Sequence, residues 1–255
     1  MAMNYSEREL RRLGDNDLAK MQAVIHGVFK QRHPDMKDIA LPVQAKAARE
    51  AAKTLEAPTP KVDLRQQTYD LLSLVREPSA SEKEALKARG IKFLPVTSSS
   101  YAQVVAEDPA HFWDNELEYA NDRPELRDFA LPVAVEVGLR RPSELALSGS
   151  FSKSRETQLK MIDEYSKELQ VQFPDARAIM LPSTGYAQVD RAYKVETGEV
   201  LFRNYFARAL DNLSGGDAAG AGRDDPSDRF VVRGWSAGDG DGPVWAVPAV
   251  VFLRK

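Results

Sequence analysis

Aspartate side chains crowd one segment near the C-terminal end of the chain, and carboxylates can hold metal ions, transfer protons or contact ligands. Residues 211–242 contain eight of the fifteen glycines and seven aspartates, namely Asp211, Asp217, Asp224, Asp225, Asp228, Asp239 and Asp241. A segment with so few apolar side chains and so much backbone freedom cannot build a core by itself. We therefore predict loops carried by a rigid frame, where binding residues are common.

Two tryptophans, Trp235 and Trp245, accompany these loops. Aromatic side chains beside polar loops can form a ligand platform, although tryptophan also serves as core. The pattern favours a binding surface, and the competing interpretation is a flexible surface loop without function.

The run Asp239-Gly240-Asp241-Gly242 places oxygen ligands at alternating positions, as calcium-binding loops do. It lacks the bidentate glutamate that closes an EF-hand loop, and Asp/Gly turns without ions are far more common. We therefore predict no metal ion and no other cofactor, with a calcium ion as the alternative.

Nucleophilic catalysis finds little support in the sequence. The chain has no cysteine, which excludes disulfides, thiolate metal sites and cysteine nucleophiles. Of the three histidines, His26 lies in a predicted helix and His33 precedes a proline, so only His111 is of functional interest. No Gly-x-Ser-x-Gly elbow, Walker A loop or dinucleotide fingerprint is present. We expect no catalytic residue.

Two other functional hypotheses stay open. An enzyme of unknown class could use the loop carboxylates, for instance in metal-assisted hydrolysis. That hypothesis requires at least two of four carboxylates to converge in a concave pocket, namely Asp211, Asp217, Asp228 and Asp241. Nucleic-acid binding by the first ninety residues would instead require basic side chains gathered on one helix face.

The net charge of −3 and the hydrophobic fraction of 43% describe a globular chain without a general attraction to nucleic acids or membranes. The N-terminal residues resemble no signal peptide, and no apolar run approaches the ~20 residues that span a bilayer. The sequence predicts a cytoplasmic protein with no membrane partner, and a nucleic-acid partner is not expected.

Helical periodicity dominates residues 1–90. Helices are predicted over residues 15–32, 45–55, 64–75 and from 81 to a C-cap at Gly90, with proline-marked turns between most of them. We predict an α-helical N-terminal region, 1–90, that packs on the next domain, acts as an adaptor or joins chains into an oligomer.

The pattern changes at Ile91 to short strands and two longer helices. Helices are predicted over 154–171 and 183–196, and strands over 91–94, 129–137, 178–181, 205–210, 230–233 and 245–253. We predict one α+β domain, 91–255.

Several motifs follow one another in the last third of the chain. Met180-Leu181-Pro182-Ser183 leads into a predicted helix, and Phe202-Arg203-Asn204-Tyr205 precedes a strand-like run. Arg233-Gly234-Trp235 lies among the Gly/Asp loops, and Val247-Pro248-Ala249 opens the last strand. In this order the motifs resemble the C-terminal half of the C-type-lectin-like fold, in its formylglycine-generating-enzyme-like branch. That branch has an arginine in the last motif, which this chain lacks.

The resemblance implies a domain of two helices and short antiparallel strands. The enzymes of that branch use cysteines, and the calcium-binding motifs of true C-type lectins are absent, so neither activity is expected. Of the groups that share this fold, the variable target proteins of diversity-generating retroelements remain. Resemblance to them implies a non-catalytic protein that binds a protein or other macromolecule through a diversified C-terminal surface. The expected ligand-binding residues are Asn204, Tyr205, Asp211, Asn212, Asp217, Arg223, Asp225, Asp228, Trp235, Asp239, Asp241 and Trp245.

Overall fold

The computed structural model describes residues 63–203, 206–213, 216–224, 228–238 and 244–254. The chain divides into two compact units, and every described residue belongs to the second unit, Val62–Lys255. The helices predicted over 15–32 and 45–55 lie outside the described residues. Within the described part the unit is α+β, with seven α-helices and two sheets.

The unit begins with a helix, a two-residue strand and a second helix: α1 (Leu64–Leu72), β1 (Val75–Arg76) and α2 (Ala80–Lys87). Ser79 begins α2 with a capping box, because its hydroxyl accepts the Glu82 N–H while the Glu82 side chain accepts the Ser79 N–H. Strand β1 pairs with the last strand of the chain, with Val75 opposite Leu253. These elements therefore belong with the sheets, and the unit starts well before the predicted boundary at residue 91.

The first sheet has five strands and contains the C-terminal end of the chain. Its further members are β2 (Ile91–Val96), β3 (Val135–Arg140), β4 (Ala176–Met180) and β9 (Pro248–Leu253). The order is β1-β9-β3-β2, and β4 also pairs with β9, all antiparallel. All six residues of β9 are buried, as expected for an apolar run at the centre of a sheet.

The second sheet lies in the C-terminal region, where three of its four strands overlap predicted strands and the fourth lies among the predicted loops. Its strands are β5 (Phe206–Asn212), β6 (Ala218–Asp224), β7 (Arg229–Trp235) and β8 (Val244–Trp245), in the order β7-β6-β5-β8. Only the β5–β8 pair is parallel. Strand β6 corrects the loop prediction for its residues: pairing on both sides stabilises a strand of small side chains with low intrinsic β-propensity.

Five more helices complete the unit: α3 (Tyr101–Glu107), α4 (Glu116–Asn121), α5 (Pro124–Arg127), α6 (Arg155–Gln170) and α7 (Ser183–Thr197). The two long ones confirm the predicted helices, and α7 ends at Gly198 in the left-handed conformation, φ 76°. The three short ones correct the expectation of only two helices after residue 91. None of the helices in the described part is long and apolar enough to span a membrane.

The two faces of the second sheet have different surroundings. We define the inner face by Ala219, Ala221, Phe230 and Val232, which belong to the main hydrophobic core. The outer face carries Phe206, Arg208, Val231, Arg233 and Trp235, as the pairing register and the alternation along each strand require. On it Phe206, Val231 and Val244 form a second apolar cluster with Trp113 and Trp235.

Candidate functional site

Trp235 lies across the outer face at the end of β7. Its ring centroid is 4.6 Å from that of Phe206 on β5, and the strand between them contributes Gly220. A Cβ atom added to Gly220 would lie 2.5 Å from Cζ3 of the indole. The absence of a side chain on β6 is therefore what lets the indole cross the sheet, and Trp235 remains half-buried.

Arg233 lies beside Trp235 on the same face. Its guanidinium carbon is 4.9 Å from the Trp113 ring centroid and 5.4 Å from that of Tyr119, which are cation–π distances. Nη1 of Arg233 is 3.4 Å from Oε2 of Glu116. Arg233 is thus held between two aromatic rings while part of it stays exposed.

Glu116 anchors this arrangement from inside the protein. Its Oε1 accepts hydrogen bonds from the Tyr101 hydroxyl (2.8 Å) and the Val232 N–H (2.9 Å), and the side chain is fully buried. Burial raises the pKa of Glu116, although the hydrogen bonds and the Arg233 charge oppose that rise. The carboxylate therefore fixes both β7 and the guanidinium that β7 presents.

Arg208 occupies the middle of the outer face on β5 and is fully buried. Its Nε donates to Oε1 of Gln158 at 3.3 Å, whereas Nη1 and Nη2 have no partner among the described residues. Burial, together with the positive charge of Arg155, lowers the pKa of Arg208 to about 10. At neutral pH the guanidinium is therefore still charged.

The start of α6 covers this part of β5 and β8. Gln158 Nε2 donates to the carbonyl oxygens of Ser150 and Val244, at 2.9 and 3.1 Å. Arg155 Nη1 donates to Oδ1 of Asn212 at 2.6 Å, and burial lowers the pKa of Arg155. The charge of Arg155, at the first residue of α6, is therefore near enough to act on Arg208.

A different charge arrangement lies on the inner face. Asp190 of α7 is fully buried, and its Oδ2 accepts a hydrogen bond from Nη2 of Arg223 on β6. His111 Nε2 lies 3.0 Å from the same oxygen, and Oδ1 accepts the Leu201 N–H at 2.9 Å. Burial would raise the pKa of Asp190, but the contacts with His111 and Arg223 outweigh it and lower the pKa. His111, the one histidine of functional interest in the sequence, thus lies beside the buried Asp190–Arg223 ion pair.

Two of the predicted ligand-binding residues are buried, which corrects their expected place on the surface. Asp211 and Arg223 are each only 3% exposed. Asp211 Oδ1 accepts the N–H of Ser183 at the start of α7, and burial raises its pKa. Arg223 turns inward because Asp190 supplies its counter-charge.

The other predicted residues divide between described and undescribed positions. Asn212, Trp235 and Trp245 are half-buried, and Asp217 and Asp228 are exposed. Trp245 packs against Phe151, with ring centroids 4.9 Å apart. The remaining predicted residues lie outside the described residues: Asn204, Tyr205, Asp225, Asp239 and Asp241.

Sequence reasoning missed the arginines of the outer face and their aromatic neighbours. Arg208 could have been found, because alternation within Phe206-Ala207-Arg208-Ala209 puts it on the same face as Phe206. Arg233 could have been placed with Trp235 by the same rule. Trp113 and Tyr119 precede β7 by more than a hundred residues, so no local pattern connects them to it.

Among the described residues, no group of three or more histidine, aspartate or glutamate side chains could hold a metal ion. Asp211, one of the four carboxylates in the hydrolysis hypothesis, lines a cavity of about 350 Å³ together with Arg65, Tyr69 and Asn212. Of the other three carboxylates in that hypothesis, Asp217 and Asp228 do not line this cavity, and Asp241 is outside the described residues.

No known protein family, curated protein or solved structure matches this chain.

Proposed function

We propose that this chain is a non-catalytic ligand-binding protein in which a C-type-lectin-like frame displays a diversified surface, as in the variable proteins of diversity-generating retroelements. The display surface is the outer face of the second sheet, and its ligand is a protein or another macromolecule. A cytoplasmic location is part of the same proposal.

The strongest support is the composition of the outer face. Trp235 and Arg233 lie side by side on one strand, each half-buried and each held by aromatic neighbours. Tryptophan and arginine are enriched among the residues that contribute most to protein–protein affinity. A strand within a paired sheet holds them in place, so little conformational entropy is lost when a ligand binds.

The alternation of buried and partly exposed side chains along β7 also supports a display function. Phe230 and Val232 are fully buried in the main core, whereas Arg229, Arg233 and Trp235 alternate with them and are partly exposed. Substitutions on the outer side would change ligand contacts and leave the apolar core side chains in place, although Arg233 also contacts the buried Glu116. The last strand, β9, pairs with three other strands and so fits a frame closed by its C-terminal end.

Two matched libraries test this division. One randomises the codons of Arg233 and Trp235, and the other randomises those of Phe230 and Val232. We expect most clones of the first library and few of the second to resist protease when displayed on yeast, because only the second disturbs the core. Equal loss of folded clones in both libraries would contradict the proposal.

A selection then tests binding itself. From the first library, enlarged at Arg229, we expect binders to a purified globular protein such as lysozyme, with affinity lost when the selected residues revert. Failure to obtain any binder from a well-folded library would count against a display function. In the genome, a reverse transcriptase gene beside a near-copy of the 3′ coding sequence is expected.

A further inference from the structure

Arg208 differs from every other buried charge that the structure describes. Its side chain is fully buried, yet two of its three guanidinium nitrogens, Nη1 and Nη2, have no hydrogen-bond partner in the described part of the chain. The third, Nε, donates to the neutral Gln158 side chain. A charged group in this position loses its hydration and gains almost nothing in return.

Among the residues that the structure describes, no nearby acid offsets this charge. Arg155 is the charged group that acts on Arg208, and it has the same sign. With a pKa of about 10, Arg208 is protonated at neutral pH, so loss of a proton cannot relieve the cost. An uncompensated buried ion destabilises a protein by several kcal/mol, on the order of the net stability of a domain.

The two free nitrogens are suited to one kind of ligand. Nη1 and Nη2 form a planar fork whose spacing matches the two oxygens of a carboxylate or of a phosphate group. Arg155, at the first residue of α6, adds positive charge, and the partial positive charge of this helix start acts in the same direction. The Nε bond to Gln158 holds the fork in one orientation.

We propose that Arg208, supported by Arg155 and oriented by Gln158, is a binding site for an oxyanion group, either a carboxylate or a phosphate. The site lies on the outer face but goes beyond the display function, because an anion can bind there whether or not the surface is diversified. It takes a single anionic group, because Arg208 is the one buried guanidinium among the described residues whose Nη1 and Nη2 both lack a partner. An extended nucleic-acid backbone would need several.

Thermal unfolding of the full-length protein tests this site. Melting temperatures are measured at pH 7 and constant ionic strength in sodium chloride, sodium acetate and sodium phosphate. We expect acetate, phosphate or both to raise the Tm by about 3 °C or more in a saturable way, and Arg208→Met to abolish that rise. Acetate alone identifies a carboxylate site, and phosphate alone identifies a phosphate site.

Controls separate a specific site from general salt effects. Arg76→Met removes an arginine already paired with Glu82 at 2.8 Å, and it should leave the response to oxyanions unchanged. Arg208→Lys keeps the charge but loses the fork, so we expect at least a fivefold weaker response. Equal Tm shifts in chloride, acetate and phosphate, or shifts that persist in Arg208→Met, would overturn the site.

A measurement on the wild-type protein covers the case in which Arg208→Met does not fold. The arginine Nε–Hε NMR signal that changes during an acetate or phosphate titration should belong to Arg208, assigned through its contact with Gln158. A titration that moves only the signals of exposed arginines would overturn the proposal.

Discussion

Arg223 and Arg208 lie on neighbouring strands of one sheet, both almost entirely buried, and their surroundings are opposite. On the inner face, Arg223 meets Asp190, which also contacts His111. On the outer face, Arg208 meets Gln158 and a second arginine, Arg155. The inner charge is neutralised within the fold, as expected for a frame. The outer charge is left for something outside the fold, as expected for a binding site.

The same contrast extends along both faces. Inner-face side chains such as Phe230 and Val232 join the main core, and the buried Glu116 binds the Val232 N–H from the edge of the sheet. Outer-face side chains such as Trp235 pack in a smaller cluster and stay partly exposed. One strand can therefore serve stability on one side and recognition on the other, because its side chains alternate.

The largest expected effect comes from breaking the inner pair. Arg223→Met leaves Asp190 buried without its main counter-charge, so we expect a loss of about 3–5 kcal/mol in the free energy of unfolding, measured with urea. Arg191→Met is the matched control, since Arg191 pairs with the exposed Glu107 and should cost about 1 kcal/mol or less. Similar losses in both variants would contradict the structural role given to the inner pair.

The next effect concerns the support beneath Trp235. Gly220→Ala adds a Cβ atom 2.5 Å from the indole, which must move, and we expect a loss of about 1–3 kcal/mol together with altered tryptophan fluorescence. Gly238→Ala is the control, because an added Cβ there would have no neighbour within 4 Å. Unchanged emission and stability in Gly220→Ala would show that the indole lies elsewhere.

Arg208→Met should behave unlike Arg223→Met. In chloride without any oxyanion, it removes an uncompensated charge and puts apolar volume in its place, so we expect the free energy of unfolding to stay within about 1 kcal/mol of wild type or to rise. Urea unfolding under identical conditions provides the comparison. A loss of about 3 kcal/mol or more would mean that Arg208 has a stabilising partner within the fold.

The smallest expected effects concern how the contributions of two buried carboxylates, Asp190 and Asp211, to the free energy of unfolding change with pH. The pKa of Asp190 is lowered in the folded state, so its contribution to stability is present above its unfolded pKa and is lost as the pH falls through the folded value. The pKa of Asp211 is raised, so its contribution is largest in acid and is lost as the pH rises through the folded value.

The two isosteric variants should therefore change in opposite directions. From about pH 3 to pH 7, the stability of Asp190→Asn should fall relative to wild type, and that of Asp211→Asn should rise relative to wild type. Urea unfolding across this range measures both. Parallel trends in the two variants would show that one of the two pKa values is shifted in the opposite direction.

Elements with local sequence signals were predictable, whereas an element that depends on contacts with distant residues was not. The two long helices were predictable, because helical periodicity and a glycine after the last turn are local signals, as at Gly198. Strand β9 was predictable from its apolar run. Strand β6 was missed, because an Ala/Gly sequence carries no hydrophobic alternation and becomes a strand only through its neighbours.

What the sequence determined and what the tertiary structure determined differ most clearly in where individual side chains point. The sequence by itself determined the types of residue in the C-terminal region, the absence of cysteine chemistry and the α+β class. Tertiary structure alone decided that Asp211 and Arg223 turn inward, while Arg208 is buried without an acid among the described residues. The reason is physical. The charge of a side chain is set by its chemical type, but whether that charge stabilises the fold, destabilises it or binds a ligand depends on partners far away in sequence, such as Asp190 for Arg223.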